Sequence, residues 1–443
     1  MPADDPATTP ASAGAATVAG GLVVSPFRGL RYVPGRVSDL AAVTSPPYDV
    51  IDQDAATHLE DLDPHNVVRL ILPRDRVGGA ARGGGPGDRY AHAAELLATW
   101  RAEGVLARDE QPALYVYEQA GPGYEQRGLL AAVGLHDPAD RVVLPHEDVM
   151  PGPVADRLEL MRATRANLEP ILLVYDGGGE TAAVLDDVAA TPPLLETWTE
   201  DGVRQRLWAV TDPGVQHQVA ADLAPRQALI ADGHHRWATY RRLQAEHRAA
   251  GDGAGPWDSG LAMLVDSRTS PLQVAAIHRV VPGLPLAQAE ALAAPAFAVV
   301  TDAGADLDAA LGLLATTTAR HPFVLTDGTA WRLLADPEPT ALEAALPPQR
   351  PARWRDLDAA VLHGLVLERL WGRPADDPEL GYLHDAAGAV RAARRSGGVA
   401  VLLRPVEVAD VTALAAQGER MPRKSTSFGP KPRTGLVLRP LDE

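Results

Sequence analysis

Apolar residues recur along the chain in short runs set apart by polar, glycine-rich and proline-rich stretches. Ala113–Tyr117 and Leu129–Leu135 read as strands joined by a turn near Gly121–Gly123. Pro170–Tyr175, Leu207–Thr211 and Gln227–Ala231 are further strand-like runs. The last leads straight into Asp232-Gly233-His234-His235-Arg236, and a helical pattern then continues to about Ala250, with Gly251 behind it. Arg89–Glu103 also has a helical period. Ala94, Leu97 and Arg101 share one side, Leu96 and Trp100 form an i,i+4 pair, and Gly104 is the stop. Leu261–Asp266 and Val274–Val281 suggest a strand pair across the turn Ser267–Pro271, and a helix around Leu357–Trp371 precedes a strand at Val399–Leu403. Strands and helices without strict alternation predict a mixed α/β (α+β) fold.

Three segments are expected. Residues 1–22 are rich in Ala, Thr, Pro and Gly, bury too little to offset ordering, and predict a disordered tail. Residues 23–340 form the main α/β region, and Gly78–Asp88 within it is glycine-dense. The proline-rich stretch Pro337–Pro351 separates a C-terminal part, 341–443, that carries a loop rich in Lys, Ser and Thr.

Composition narrows the function. The chain has 443 residues, 46% of them hydrophobic, enough for a sizeable core without staples. Lys+Arg total 41 and Asp+Glu 58, so the net charge is 41 − 58 = −17. That balance speaks against nucleic-acid and anionic-membrane partners and leaves small molecules. Cysteine is absent, which removes thiol nucleophiles, Cys-ligated metals and disulfides. No apolar run approaches the ~20 residues of a membrane span, and the start of the chain, with Asp4 and Asp5, is unlike a signal peptide. A cytoplasmic location is expected.

The sharpest candidate site is Asp232–Arg236, between an apolar strand and a helix. Free N–H groups, a glycine allowing close approach, two imidazoles and a guanidinium suit a phosphate. Asp232 has three roles open: metal ligand, proton acceptor or helix cap. The plain alternative is a capped helix with two surface histidines. Neither a Walker loop nor a well-placed Rossmann glycine fingerprint occurs. A second cluster, His146-Glu147 with Asp156-Arg157, sits in a proline-stiffened loop, where Glu147 is a candidate general base. Alone it reads more readily as a surface loop with an ordinary ion pair. A third joins Tyr48 and Asp49 with Asn66 and Arg69, against the alternative of simple turn chemistry. The fourth is Arg423–Lys431. Lys424 and Lys431 are the only lysines in the chain, and Ser425 and Thr426 lie between them.

With these motifs in view, the chain resembles the bacterial and archaeal domain-of-unknown-function family 1015. The residues that carry the likeness are Phe27–Tyr32, Ser45–Val50, Asn66–Leu70, His146-Glu147, Asp156–Leu158, Ala231–Arg236 and Met421–Phe428. Asp232–Arg236 also resembles the phosphate motif of free serine kinases with a ParB/sulfiredoxin-like core. The resemblance implies such a core with additional α/β domains. It also implies transfer of a phosphoryl group from inorganic pyrophosphate, ahead of ATP or ADP, to L-serine, with Mg²⁺ as cofactor. On this reading Glu147, Asp232, His234 and His235 are catalytic. Gly233, His234, His235, Arg236, Lys424, Ser425, Thr426 and Lys431 bind phosphate. Tyr48, Asp49, Asn66, His146 and Arg157 with Arg69 bind substrate, the two arginines as carboxylate clamps, and Asp232 and Asp49 hold the metal. One departure stands out: the family usually has Pro-Lys where this chain has Pro153-Val154. A non-catalytic protein that senses a phosphorylated metabolite or nucleotide is the alternative. A ParB-like role on DNA is opposed by the charge of −17.

Overall fold

The structure is a computed structural model that describes residues 21–74, 88–374 and 377–442. The tail expected over 1–22 therefore lies outside the described residues as far as residue 20, as does most of Gly78–Asp88. The fold is mixed α/β, as the pattern of runs predicts, and is organised around two sheets.

The first sheet has nine strands: β1 (Val24–Ser25), β2 (Leu114–Gly121), β3 (Tyr124–Gly134), β4 (Val143–Leu144), β5 (Ile171–Tyr175), β6 (Leu195–Trp198), β7 (Arg204–Val210), β8 (Ala228–Asp232) and β9 (Ser259–Asp266). Their spatial order is β4-β8-β5-β9-β3-β2-β7-β6, with β1 on β3. Pairs β4/β8 and β5/β9 are parallel and the others antiparallel. The β2–β3 hairpin turns at Pro122-Gly123, with Gly121 opposite Tyr124, and Gly123 takes φ +81°, which favours glycine.

Helix α1 (Asp88–Ala102) matches the expected span, but its buried face is Tyr90, Ala93, Leu97 and Trp100, so Leu96 lies to one side. Helices α2 (Pro151–Thr164) and α3 (His234–Ala250) pack together over the first sheet. Leu158 and Met161 from α2 and Trp237, Tyr240 and Leu243 from α3 join Ile171, Leu173 and Ile230 in one apolar cluster. Burying side chains of this size contributes about 1.5–3 kcal/mol each, so α3 is anchored along its length.

The second sheet is antiparallel throughout: β10 (His278–Val281), β11 (Phe297–Asp302), β12 (Phe323–Thr326), β13 (Trp331–Pro337), β14 (Gly381–Leu383) and β15 (Val399–Leu402), in the order β11-β13-β12-β15-β10-β14. Two expectations are corrected here. The strand pair across 267–271 does not form. Strand β9 is apolar on both faces and both its edges are taken, by β3 and β5. Residues 273–275 pair instead with 427–429, and 278–281 enters the second sheet. Nor do the sheets divide near residue 340, because the second sheet takes strands from both sides of that point. The expected helix near 357–371 forms as Asp358–Val361 continued by a π-helical stretch, Leu362–Leu370.

After β15 the chain returns to the first sheet. Met421 N–H donates to His146 O, Thr434 pairs with Ser45, Leu438 with Leu30, and Arg439–Pro440 with Ala166–Asn167. This return brings the 421–431 loop beside the β8–α3 junction. Among the described residues no helix is long and apolar enough to cross a membrane.

Candidate functional site

Strand β8 ends in an irregularity: its register against β5 shifts between Ile230 and Asp232. Such a bulge re-aims the side chain that follows it. Gly233 then takes φ +92°, and a Cβ there would lie 2.8 Å from Ile171 Cγ2, so position 233 needs glycine. Helix α3 begins at His234 with no side-chain cap. Asp232 is therefore not a cap.

The five residues 232–236 do not form one cationic cup. Arg236 is 4% exposed and turned into the fold. It donates to Pro170 O at 2.6 Å and to Asp232 Oδ2 at 2.7 Å. The i,i+4 spacing brings Asp232 and Arg236 together on the helix start. Buried Glu169 lies on the same side. Its carboxyl is raised by burial, against the pull of Arg236 and Arg157.

The two imidazoles face the other way, but they are not cations. Burial holds His146 and His234 down to about 3, helped by each other's ring at His146 and by the Arg420 charge at His234. His234 Nε2 accepts from His146 N–H at 3.3 Å, and its Nδ1 lies 3.9 Å from Glu147 Oε2. His235 Nε2 accepts from Met150 N–H at 3.1 Å, and burial lowers this ring too. A predicted pH dependence follows. His146, His234 and His363 sit near 3 and His278 near 4, against an ordinary 6.5. The unfolded chain takes up protons that these buried rings refuse. Their stabilising effect is thus complete above pH 6.5 and is lost as pH falls toward 3–4, by up to about 1.4 kcal/mol per pH unit for each ring. The midpoint of thermal unfolding should fall clearly between pH 7.5 and pH 5.5; no change would mean the rings are already charged in the fold.

Two constellations remain around this junction. In the first, Thr426 Oγ lies 2.8 Å from Glu147 Oε1 and 3.0 Å from His146 Nε2. In the second, Lys431 Nζ bridges two carboxylates, 2.6 Å from Asp232 Oδ1 and 3.1 Å from Asp49 Oδ2. Burial and the Asp49 charge raise Asp232. Burial also pushes Asp49 up, but Lys431 and Arg236 together bring it below the usual carboxylate range. The charges of Glu147, Asp49 and Lys424 all act on His235, so both constellations lie near that one ring. Asp49 and Asp232 offer oxygens of the kind Mg²⁺ accepts alongside phosphate oxygens. Among the described residues no group of three or more His, Asp or Glu side chains is arranged to hold a metal by itself.

Other expected site residues are engaged in the scaffold. Asn66 is fully buried, donates to Ala42 O and Thr44 O and accepts from Val68 N–H. Arg69 donates to Glu60 O. Arg157 grips Asp156 and donates to Ile71 O at 2.5 Å. Arg157 is thus taken up by the scaffold, whereas Arg69 keeps a buried Nε without a partner among the described residues. Tyr48 lies under Arg157, 4.4 Å from its guanidinium carbon, with its N–H on Glu169. Ser425 turns its hydroxyl to Pro422 O. Val154, where the family usually has lysine, is buried, and its carbonyl accepts from Thr239. The sequence reading missed Arg420, whose guanidinium reaches Pro145 O and lies 3.5 Å from Asp148. It also missed His384, which follows β14 and feels Lys431, Lys424 and Asp49. Neither sits in a local pattern that marks it.

The family model described as "Protein of unknown function (DUF1015)" matches residues 24–360. The chain belongs to the DUF1015 family. No curated protein sequence matches it. Among solved structures, a mutant free serine kinase in complex with ADP is similar at 15% identity and a TM-score of 0.35, over 70% of this chain and 92% of that one. SbnI with a C-terminal truncation, from Staphylococcus aureus, is similar at 13% identity and a TM-score of 0.36, over 70% and 87%. A conserved hypothetical protein from Pyrococcus furiosus follows at 15% identity and 0.32, over 68% and 90%. In this DUF1015 chain the family motifs at 146–147, 232–236 and 421–428 meet at the β8–α3 junction, and Lys431 ties the 45–50 motif to them.

Proposed function

We propose that this DUF1015 protein is a small-molecule phosphotransferase that moves a phosphoryl group from inorganic pyrophosphate to the hydroxyl of free L-serine. The observation that carries the reading is the meeting of two constellations at the β8–α3 junction. A carboxylate held by hydrogen bonds, Glu147, stands beside a carboxylate–ammonium–carboxylate bridge, Asp49–Lys431–Asp232. Phosphoryl transfer asks for little more than a base at the acceptor and neutralised phosphate charge. Glu147 takes the proton of the serine hydroxyl, the oxygen attacks phosphorus, and orthophosphate leaves with the bridging oxygen. Lys431 and Lys424 supply positive charge, and the neutral imidazoles of His234 and His235 supply hydrogen bonds. Mg²⁺ held through Asp49 and Asp232 adds neutralisation at the phosphates when bound. Arg420 would serve the serine carboxylate by exchanging its exposed partner Asp148 for it while keeping its bond to Pro145 O.

The test is direct. L-serine and Mg²⁺ are supplied with pyrophosphate, ATP or ADP in separate reactions, and O-phosphoserine is measured. Product with pyrophosphate is expected. Absence of product with every donor, from protein that unfolds cooperatively, rejects the reading; product with a nucleotide alone moves the donor assignment.

A further inference from the structure

Thr426 is held more rigidly than a loop hydroxyl needs to be. Ahead of it, Lys424 adopts φ +55°, and its carbonyl accepts from the fully buried Arg279 at 2.8 Å. Ser425 bonds back to Pro422 O. Behind it, 427–429 pairs with 273–275. The hydroxyl so fixed lies between a carboxylate at 2.8 Å and an imidazole at 3.0 Å. The Thr426 O–H donates to Glu147 Oε1, and the His146 Nε2 edge closes the other side of the hydroxyl. A hydroxyl that donates to a carboxylate has the first contact an activated nucleophile needs, that with its base. The Glu147 side chain is 31% exposed and Thr426 8%, so the pair meets solvent through the carboxylate. The Lys424 charge also reaches His235 and His384.

We propose that Thr426 is an internal phosphoryl acceptor, occupying at Glu147 the place an incoming substrate hydroxyl takes during transfer. The inference rests on the reading of Glu147 as the base. When a phosphoryl donor is bound without acceptor, Glu147 takes the Thr426 proton and a Thr426 Oγ–P bond forms. The bridging P–O bond breaks, and orthophosphate leaves if the donor is pyrophosphate, or nucleoside diphosphate if it is a nucleoside triphosphate. Phosphothreonine at 426 then sets a dianion against Glu147 in place of a hydrogen bond, which blocks the base. The modification is self-limiting, and free serine competes with it.

The experiment uses the full chain with Mg²⁺ and either ³²P-pyrophosphate or γ-³²P-ATP, without serine. Acid-stable label is followed by phosphoamino-acid analysis and peptide mass spectrometry. Wild type should carry phosphothreonine at 426, Thr426→Ser should carry phosphoserine at the same position, and Thr426→Val should carry none. Added L-serine should reduce the label as O-phosphoserine appears. The donor that labels identifies the phosphoryl source. Wild type that converts serine but never labels Thr426, or labels another residue, overturns this inference and leaves the transferase standing. Protein that forms neither phosphoserine nor label with either donor overturns both. Thr426→Ser keeps the test decisive if the valine variant fails to fold.

Discussion

Glu147→Gln is expected to lower the rate of phosphoryl transfer by about 10²–10⁴-fold, the range that a positioned general base contributes. The amide keeps the size of the side chain, and its oxygen can still accept from Thr426, so the loop geometry at 2.8 Å survives. What it loses is the ability to take a proton. Binding of pyrophosphate, read by calorimetry, should change little, because its charge partners are Lys424 and Lys431. A variant that keeps full transfer removes Glu147 as the base and shifts the search to Asp232, whose carboxyl is raised by burial and by the Asp49 charge. A variant that keeps binding, from a wild type with no transfer at all, favours a sensor of phosphorylated ligands.

Arg236→Met should destabilise the fold by about 3–5 kcal/mol, the usual cost of removing one member of a buried ion pair. The guanidinium sits between Asp232, Glu169 and Pro170 O. Its loss leaves the Glu169 carboxyl, 4% exposed, short of a cation and Pro170 O short of a donor. Lys431 still neutralises Asp232, so the damage centres on Glu169. Urea unfolding at neutral pH measures the change. If stability falls by less than about 1 kcal/mol while donor affinity collapses, Arg236 belongs to the phosphate site after all and its inward orientation is wrong.

These two residues show where a local reading of the chain stops. Both stood out in the sequence, Glu147 as a base and Arg236 as a phosphate ligand. Their neighbours explain why Glu147 stays partly exposed while Arg236 is buried. Glu147 follows a two-residue strand, Val143–Leu144, whose loop is held against the returning C-terminal segment through Met421 N–H and His146 O. Arg236 lies one helical turn from Asp232, and the Glu169–Pro170 segment ahead of β5 offers it an acid and a carbonyl. Nothing in the Asp-Gly-His-His-Arg pattern tells which way that guanidinium turns. The same holds for Asn66, Arg69 and Arg157, polar residues set in apolar runs. Such residues satisfy buried backbone groups as readily as they bind ligands.

By itself the sequence determined the local frame. The apolar run into Asp232 and the seventeen-residue helix from His234 to Ala250 follow from periodicity and backbone sterics. So does the set of separate motifs that carries the family likeness. Tertiary structure alone decided how those motifs act. It joined Asp49 to Lys431 across 382 positions, neutralised two histidines by burial, and turned Arg236 into the core. The reason is range. Periodicity and sterics act between residues a few positions apart, whereas charge state and hydrogen-bond partner depend on desolvation and on distances that exist only once the chain has returned on itself.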